Sequence, residues 1–139
     1  MKDTYGRKIE YMRISLTEKC NLRCRYCMPT EGVDAKKHED MLTEEELLTI
    51  CKVAAKNGVK KFRLTGGEPL VKKNFLDICR KIKQIDGVEE LCITTNGSLL
   101  SQYSKELKEI GETQNYARLC GLADAYQRAA DFVKQKAEN

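Results

Sequence analysis

Three cysteines lie within eight residues near the beginning of the chain: Cys20, Cys24 and Cys27, in the pattern Cys-x-x-x-Cys-x-x-Cys. Three thiolates at these spacings can wrap one compact inorganic centre. A 4Fe–4S cube has four irons, so three cysteines leave one iron without a protein ligand. That open iron can bind a small molecule. The spacing therefore favours a 4Fe–4S cluster with one exchangeable position.

A zinc site is the alternative for the same thiols, with His38 as the fourth ligand. His38 is the single histidine and lies eleven residues after Cys27. Structural zinc sites prefer two separated cysteine pairs, and this triplet is atypical of them. The remaining cysteines stand singly within apolar patterns, which indicates small core side chains; they are Cys51, Cys79, Cys92 and Cys120.

Strand-like and helix-like patterns alternate over the first 111 residues. Strands are predicted at Tyr11–Leu16, Lys61–Thr65 and Glu90–Thr95 from their β-rich composition and alternation. The intervening segments carry helical spacing, and Thr43 with Glu46 forms the pattern of a capping box. Strands separated by helices of this length require right-handed crossovers, so the sequence predicts an α/β fold with a parallel sheet.

Each polar motif follows one of these strands directly. The cysteine triplet follows the first, Gly66-Gly67-Glu68-Pro69 the second, and Thr94-Thr95-Asn96-Gly97 lies at the end of the third. Because ligands bind at the carboxyl ends of parallel strands, we expect all three motifs on one side of the sheet.

The alternation stops after Gly111. Apolar residues then recur at helical spacing, at Leu119, Leu122, Tyr126, Ala129 and Val133. We therefore predict two parts: residues 1–111 with about three parallel β/α units, and residues 112–139 as one added C-terminal helix.

Composition narrows the class of protein. The 139 residues are 41% hydrophobic and 33% charged, with a net charge of +4. The charge excess is too small to indicate a nucleic-acid partner, and no apolar run is long enough for a membrane span. The odd cysteine count without a secretory segment argues against a disulfide framework. We expect a cytoplasmic protein that binds neither nucleic acid nor membrane.

The motifs together resemble the radical S-adenosylmethionine (SAM) superfamily. The cysteine triplet with Tyr26 before its last cysteine, and the Gly-Gly-Glu-Pro segment after the next strand, carry that resemblance. Further segments are similar to the GTP 3′,8-cyclase family of molybdenum cofactor biosynthesis, over about Lys2 to Gly111; they are Asp3–Arg7, Tyr11–Ser15, Cys27–Pro29, Arg63–Leu70 and Thr94–Gly97. The resemblance implies a partial radical SAM β/α barrel.

The resemblance also implies roles for individual residues. The three cysteines would hold the cluster. The backbone at Tyr26 and the segment Gly66, Gly67 and Glu68 would hold SAM, since glycine lets a backbone approach a ligand closely and a carboxylate can offset an ammonium. No residue is assigned as catalytic, because SAM cleavage by the reduced cluster supplies the radical chemistry.

Arg13, Arg63 and Thr94 match positions that contact GTP in this family. A guanidinium suits triphosphate oxygens, and an arginine on a buried strand face would need an anionic partner. The alternative is that strand alternation places both arginines on the solvated face. The implied partners are GTP and an electron donor such as flavodoxin or ferredoxin.

The chain departs from the family in its second part. Family members have further barrel strands, one with a serine that contacts SAM, and a C-terminal domain with a second cluster. The present sequence has no counterpart to these. We therefore expect a truncated protein with poor activity alone, whose open sheet edge a dimer or complementing chain would cover. The alternative is a non-catalytic iron–sulfur or zinc-binding module.

Overall fold

The computed structural model describes residues 2–24, 41–112 and 118–120, for Glu112 and residues 118–120 the backbone alone. Strands and helices alternate: β1 (Tyr11–Ser15), α1 (Glu44–Lys56), β2 (Lys61–Thr65), α2 (Phe75–Lys83), β3 (Glu90–Ile93), α3 (Leu100–Glu112) and β4 (Arg118–Cys120). A 3₁₀ turn, Pro69–Val71, precedes α2. The strands form one parallel sheet in the order β1-β2-β3-β4. The predicted α/β fold is confirmed.

The first helix begins as its sequence predicts. The Thr43 hydroxyl accepts a hydrogen bond from the Glu46 N–H, and the Glu46 carboxylate accepts one from the Thr43 N–H. This reciprocal capping satisfies two backbone donors that a helix start leaves without partners. Gly58 follows the helix with φ of +95°, the left-handed conformation that glycine adopts readily.

The two faces of the sheet differ in character. Apolar side chains on one face are buried in a single core with the helices; the strands contribute Ile14, Phe62, Leu64, Leu91 and Ile93, and the helices contribute Leu47, Cys51, Phe75, Ile78, Cys79, Ile82, Leu107 and Ile110. Arg13, Ser15, Arg63 and Thr65 alternate with these apolar residues and are exposed or half-buried. The sheet therefore presents a polar face opposite its core.

The strand β4 corrects the prediction for the second part of the chain. Leu119 was expected in a long helix, with no strand after Glu112, but Arg118–Cys120 pairs in parallel with Glu90–Cys92 of β3. The backbone of β3 offers a row of hydrogen-bonding groups at its edge, and pairing with that edge overrides a local helical pattern. The helix predicted beyond Cys120 lies outside the described residues and stays a prediction.

A buried lysine joins α2 to the end of α3. Lys83 is 4% exposed, and its Nζ donates to the carbonyl oxygens of Ile110 at 2.7 Å and Gly111 at 3.1 Å. The last carbonyls of a helix have no partner within the helix, and Lys83 supplies one. Desolvation lowers the pKa of its ammonium. None of the described helices has the length and apolar character that crossing a membrane requires.

Candidate functional site

The loops after β1 and β2 extend the strand pairing beyond the sheet. The Leu16 N–H donates to the Thr65 carbonyl at 2.9 Å, the Gly67 N–H to Thr17 at 2.8 Å, and the Glu68 N–H to Lys19 at 2.9 Å. This ladder holds the Gly-Gly-Glu segment against the residues that immediately precede Cys20. Two of the three predicted motifs are thus side by side at the carboxyl edge.

The two glycines are required by this contact between loops. A Cβ on Gly66 would lie 2.4 Å from the Thr17 carbonyl oxygen, and one on Gly67 would lie 2.5 Å from that of Lys19. Carbon atoms do not approach backbone oxygens so closely. Gly66 also has φ of +149°, which side-chain-bearing residues rarely adopt. Both glycines are exposed, so the segment meets solvent as well as the neighbouring loop.

Glu68 connects the loop after β2 to the loop after β3. Its side chain is fully buried, and Oε1 accepts hydrogen bonds from the Leu70 N–H at 3.0 Å and the Thr95 hydroxyl at 2.7 Å. Oε2 accepts from the Asn96 N–H at 2.7 Å. A buried carboxylate needs such donors to offset its loss of hydration. The Glu68 carboxylate is therefore used within the protein, and in this structure it does not face an open ligand site.

The loop after β3 in turn contacts the cysteine-bearing loop. The Asn96 side-chain amide donates to Asn21 Oδ1 at 2.9 Å and lies 3.9 Å from Cys20 Sγ, within hydrogen-bond distance for sulfur. Asn21 donates to the Ser98 hydroxyl at 2.8 Å. All three predicted motifs therefore meet at one edge of the sheet, as the strand-end argument predicted.

Two of the three predicted cluster cysteines are described. Cys20 and Cys24 are both free thiols and half-buried. Thiols that are free, partly accessible and four residues apart suit the donor set of an iron–sulfur cluster. The third thiol, Cys27, lies outside the described residues, as do Tyr26 and His38.

The isolated cysteines differ from this pair. Cys51 and Cys79 are completely buried in the core, and burial raises the pKa of their thiols to about 11 and about 12. Cys92 is also buried. Their interpretation as small core side chains agrees with the structure, while Cys120 has no described side chain.

Arg13, Arg63 and Thr94 lie together on the polar face of the sheet. Arg13 pairs with Arg63 in register across β1 and β2, and Arg63 Nη1 donates to the Thr94 hydroxyl at 3.3 Å. Arg13 is exposed and Arg63 half-buried, so the strand alternation places both on the solvated face. Neither forms a salt bridge with any residue in the described ranges, whereas Arg7 and Arg80 each have a carboxylate partner. The arginines therefore follow the alternative stated from the sequence, and the expectation of a buried arginine that needs an anionic partner is not met. Two adjacent guanidinium groups can still bind an anion.

Sequence reasoning placed the motif after β3 at this edge but missed the contacts that its side chains make there. Thr95 and Asn96 belong to a motif that was noted for its resemblance, but no role was assigned to either. Their position after a strand was a usable signal, since polar side chains at that edge reach neighbouring loops. Their partner Glu68 is 27 and 28 residues away in sequence, so spacing alone could not show the contact.

Comparison with protein-family models gives a match over most of the chain. The model described as "Radical SAM superfamily" matches residues 14–128. The match begins within β1, includes β2 to β4 completely, and contains all three predicted cluster cysteines.

Individual proteins are also similar to this chain, each over 111 residues. The GTP 3′,8-cyclase of Alkaliphilus metalliredigens is 50% identical over 111 residues, which is 80% of this chain and 35% of the relative. That of Moorella thermoacetica is 52% identical over 111 residues, or 80% of this chain and 34% of the relative. That of Petrotoga mobilis is 46% identical over the same length. The aligned part spans about a third of each curated relative.

Proposed function

Because this chain belongs to the radical SAM superfamily, we propose that it is the radical SAM portion of a GTP 3′,8-cyclase acting in molybdenum cofactor biosynthesis. The observation that carries the proposal is the meeting of three loops at one sheet edge, linked by Glu68 and Asn96. The identity of about half of the aligned residues to GTP 3′,8-cyclases supports it.

The family implies a 4Fe–4S cluster and SAM as cofactors. We assign Cys20, Cys24 and Cys27 as the cluster ligands. When bound there and reduced, the cluster would supply the electron for cleavage of SAM to methionine and a 5′-deoxyadenosyl radical. The protein's part is to orient and shield the reactants.

The SAM site is assigned to the backbone at Tyr26 and the segment Gly66, Gly67 and Glu68. The exposed glycine backbone offers peptide groups that a ligand can approach. Since the Glu68 carboxylate already has three donors within the protein, its contribution is to hold this segment in place. Because the N–H groups of Gly67 and Glu68 already donate to the loop after β1, the carbonyl groups of the two glycines would provide the direct contacts.

The GTP site is assigned to Arg13, Arg63 and Thr94. The two guanidinium groups lie on the face of the sheet away from the core, and each can form paired hydrogen bonds with triphosphate oxygens. The hydrogen bond from Arg63 to Thr94 fixes one guanidinium close to the carboxyl edge. A nucleotide held here would lose the hydrogen on ribose C3′, which leaves as part of 5′-deoxyadenosine. C3′ would then bond to C8 of the guanine, and one further electron from the electron donor, with a proton, would complete the cyclised product.

The proposal includes partners and a location. Reduction of the cluster needs an electron donor, for which we propose a flavodoxin or ferredoxin, and we propose that the protein acts in the cytoplasm. A second copy or a complementing chain would cover the open edge and polar face of the sheet. With the aligned part spanning a third of its relatives, we expect slow SAM cleavage and no cyclised GTP from this chain alone.

Anaerobic reconstitution followed by two assays tests the proposal. The chain should bind one 4Fe–4S cluster, and Cys24→Ala should abolish it while Cys51→Ala keeps it. With SAM, GTP and dithionite, mass spectrometry should detect 5′-deoxyadenosine at a slow rate. A colourless chain that retains zinc would instead support the non-catalytic module. Stoichiometric cyclised GTP would show that the short chain is a complete enzyme.

A further inference from the structure

The amide group of Asn96 has its orientation fixed by its neighbours. Its Oδ1 accepts from the Ser98 N–H at 2.9 Å and from the Ser98 hydroxyl at 2.7 Å. A backbone N–H can only donate, so the atom that faces it must be the amide oxygen. The amide nitrogen therefore faces the other way, toward Asn21 Oδ1 and Cys20 Sγ.

Two N–H groups converge on the Cys20 sulfur. The Asn96 Nδ2 lies 3.9 Å from Sγ, and the Leu22 backbone N lies 3.4 Å from it. An N–H donor is a weak partner for a neutral thiol but a stronger one for a thiolate, since charge strengthens a hydrogen bond. The arrangement therefore suits a sulfur that carries negative charge.

The backbone of Asn96 is held as firmly as its side chain. Its N–H donates at 2.7 Å to the buried carboxylate of Glu68, which also binds the adjacent Thr95 hydroxyl. The donor thus reaches the cysteine-bearing loop from a separate loop that the sheet positions. It does not depend on the cysteine loop for its own placement.

We propose that Asn96 is a positioning residue that raises the reduction potential of the iron–sulfur cluster through its hydrogen bond to Cys20. This inference rests on the proposed function, because it requires that Cys20 ligate a cluster. Reduction adds negative charge to the cluster and its sulfur ligands. A donor aimed at one of those sulfurs stabilises the reduced form more than the oxidised form, and so raises the potential.

The test is a redox titration of the reconstituted full chain, with the reduced cluster measured by electron paramagnetic resonance. Asn96→Ala removes the donor. At a fixed solution potential, we expect the ratio of reduced to oxidised cluster to fall about tenfold, equivalent to about 59 mV for a one-electron couple. Asn57→Ala makes the same chemical change at the end of α1, where Asn57 bonds the Val53 carbonyl, and should leave the ratio unchanged.

A second variant separates an effect on the reduction potential from an effect on folding. Asn96→Asp keeps the oxygen that accepts from Ser98 but has no N–H to offer Cys20, and its charge also opposes reduction. We expect it to lower the potential at least as far as Asn96→Ala, with iron and sulfide contents equal to those of the parent chain. A full cluster with unchanged potential in both variants overturns the inference alone.

Two other outcomes would also decide the matter. Loss of the cluster from both variants would overturn the inference, because Asn96 would then be needed to form the site. Failure of the parent chain to bind any cluster would overturn the proposed function together with this inference.

Discussion

At the level of single residues, Glu68 shows how a carboxylate can serve a site without touching its ligand. Three donors from two loops surround it, and no side-chain atom reaches solvent. Glutamine has nearly the same size, but one of its two terminal groups can only donate. That NH₂ group would face either the Asn96 N–H or the Leu70 N–H, leaving a buried donor without an acceptor.

We therefore predict that Glu68→Gln lowers the free energy of unfolding by about 1–3 kcal/mol. Urea denaturation of the metal-free chain, followed by circular dichroism, measures it. Glu45→Gln changes an exposed carboxylate on α1 and should have a much smaller effect. Equal losses of stability in the two variants would contradict the role of the Glu68 carboxylate in holding the two loops together.

The cysteines should divide into two classes by reactivity. At pH 8, a thiol with a pKa of about 11 is ionised in about one molecule per thousand, and the thiolate is the reactive form. Cys51 and Cys79 are also shielded by the core. We predict that iodoacetamide modifies Cys20 and Cys24 of the native metal-free chain much faster than these two, as measured by peptide mass spectrometry. Comparable rates for all four would show that the core opens readily.

At the level of elements, the loops after β1 and β2 lie too close together for a side chain between them. Gly67→Ala would place a Cβ 2.5 Å from the Lys19 carbonyl oxygen and 2.6 Å from that of Glu18. Backbone atoms on both sides must shift, and we predict a loss of about 1–3 kcal/mol in the free energy of unfolding. Thermal and urea denaturation check it.

Gly6 provides the comparison for Gly67→Ala. A Cβ at Gly6 has no neighbour within 4 Å, although φ is +78°. Gly6→Ala therefore measures the cost of a strained backbone without a steric clash, whereas Gly67→Ala measures the cost of the clash. The prediction for Gly67 fails if Gly67→Ala has the same free energy of unfolding as the parent chain.

The contact of Lys83 with the end of α3 gives a further prediction. Lys83→Met keeps the apolar stem but leaves the carbonyls of Ile110 and Gly111 without their donor. We expect the free energy of unfolding to fall by about 1–3 kcal/mol at pH 7. Lys73→Met, at an exposed position before α2, is the control.

The contribution of Lys83 to stability should change with pH in one direction. Burial lowers the pKa of its ammonium below that in the unfolded chain, so between the two values the unfolded chain binds more protons. The contribution of Lys83 to the free energy of unfolding therefore rises as the pH increases from the pKa of Lys83 in the folded chain to the ordinary value near 10.5. The Met variant should lack that rise, which urea titrations at several alkaline pH values would detect.

The helices and inner strands were predictable because their signals are local. The capping box at Thr43 and the β-rich run Lys61–Thr65 lie within the segments that they define. The strand β4 was not predictable in the same way. Its three residues pair with β3 across an intervening helix, and the edge that they satisfy does not appear in their own composition. The burial of Glu68 was missed because two of its three donors come from another loop.

At the scale of the whole molecule, the polar face of the sheet is the surface to test for anion binding. Tripolyphosphate offers the oxygens of a nucleotide tail without the base or ribose. If it binds the folded chain alone, a concentration of about one hundred times its dissociation constant raises the free energy of unfolding by about 2.7 kcal/mol. We predict that this stabilisation occurs, declines with added salt, and is lost in Arg63→Ser.

Arg80→Ser is the matched control for Arg63→Ser. Arg80 lies on α2 and pairs with Asp77, so its loss should leave the stabilisation intact. Equal stabilisation of the parent chain and Arg63→Ser would place the anion elsewhere.

The order of the strands bears on when the cysteines become organised during synthesis. Tyr11 of β1 pairs with Lys61, about fifty residues later, while Lys61 pairs with Glu90 after about thirty. A ribosome makes the cysteine-bearing loop first, yet the strand and glycines against which it packs come much later. The thiols therefore leave the ribosome before their supporting backbone exists. Assembly of the proposed cluster on its supporting loops would therefore follow folding of the β2–β3 region.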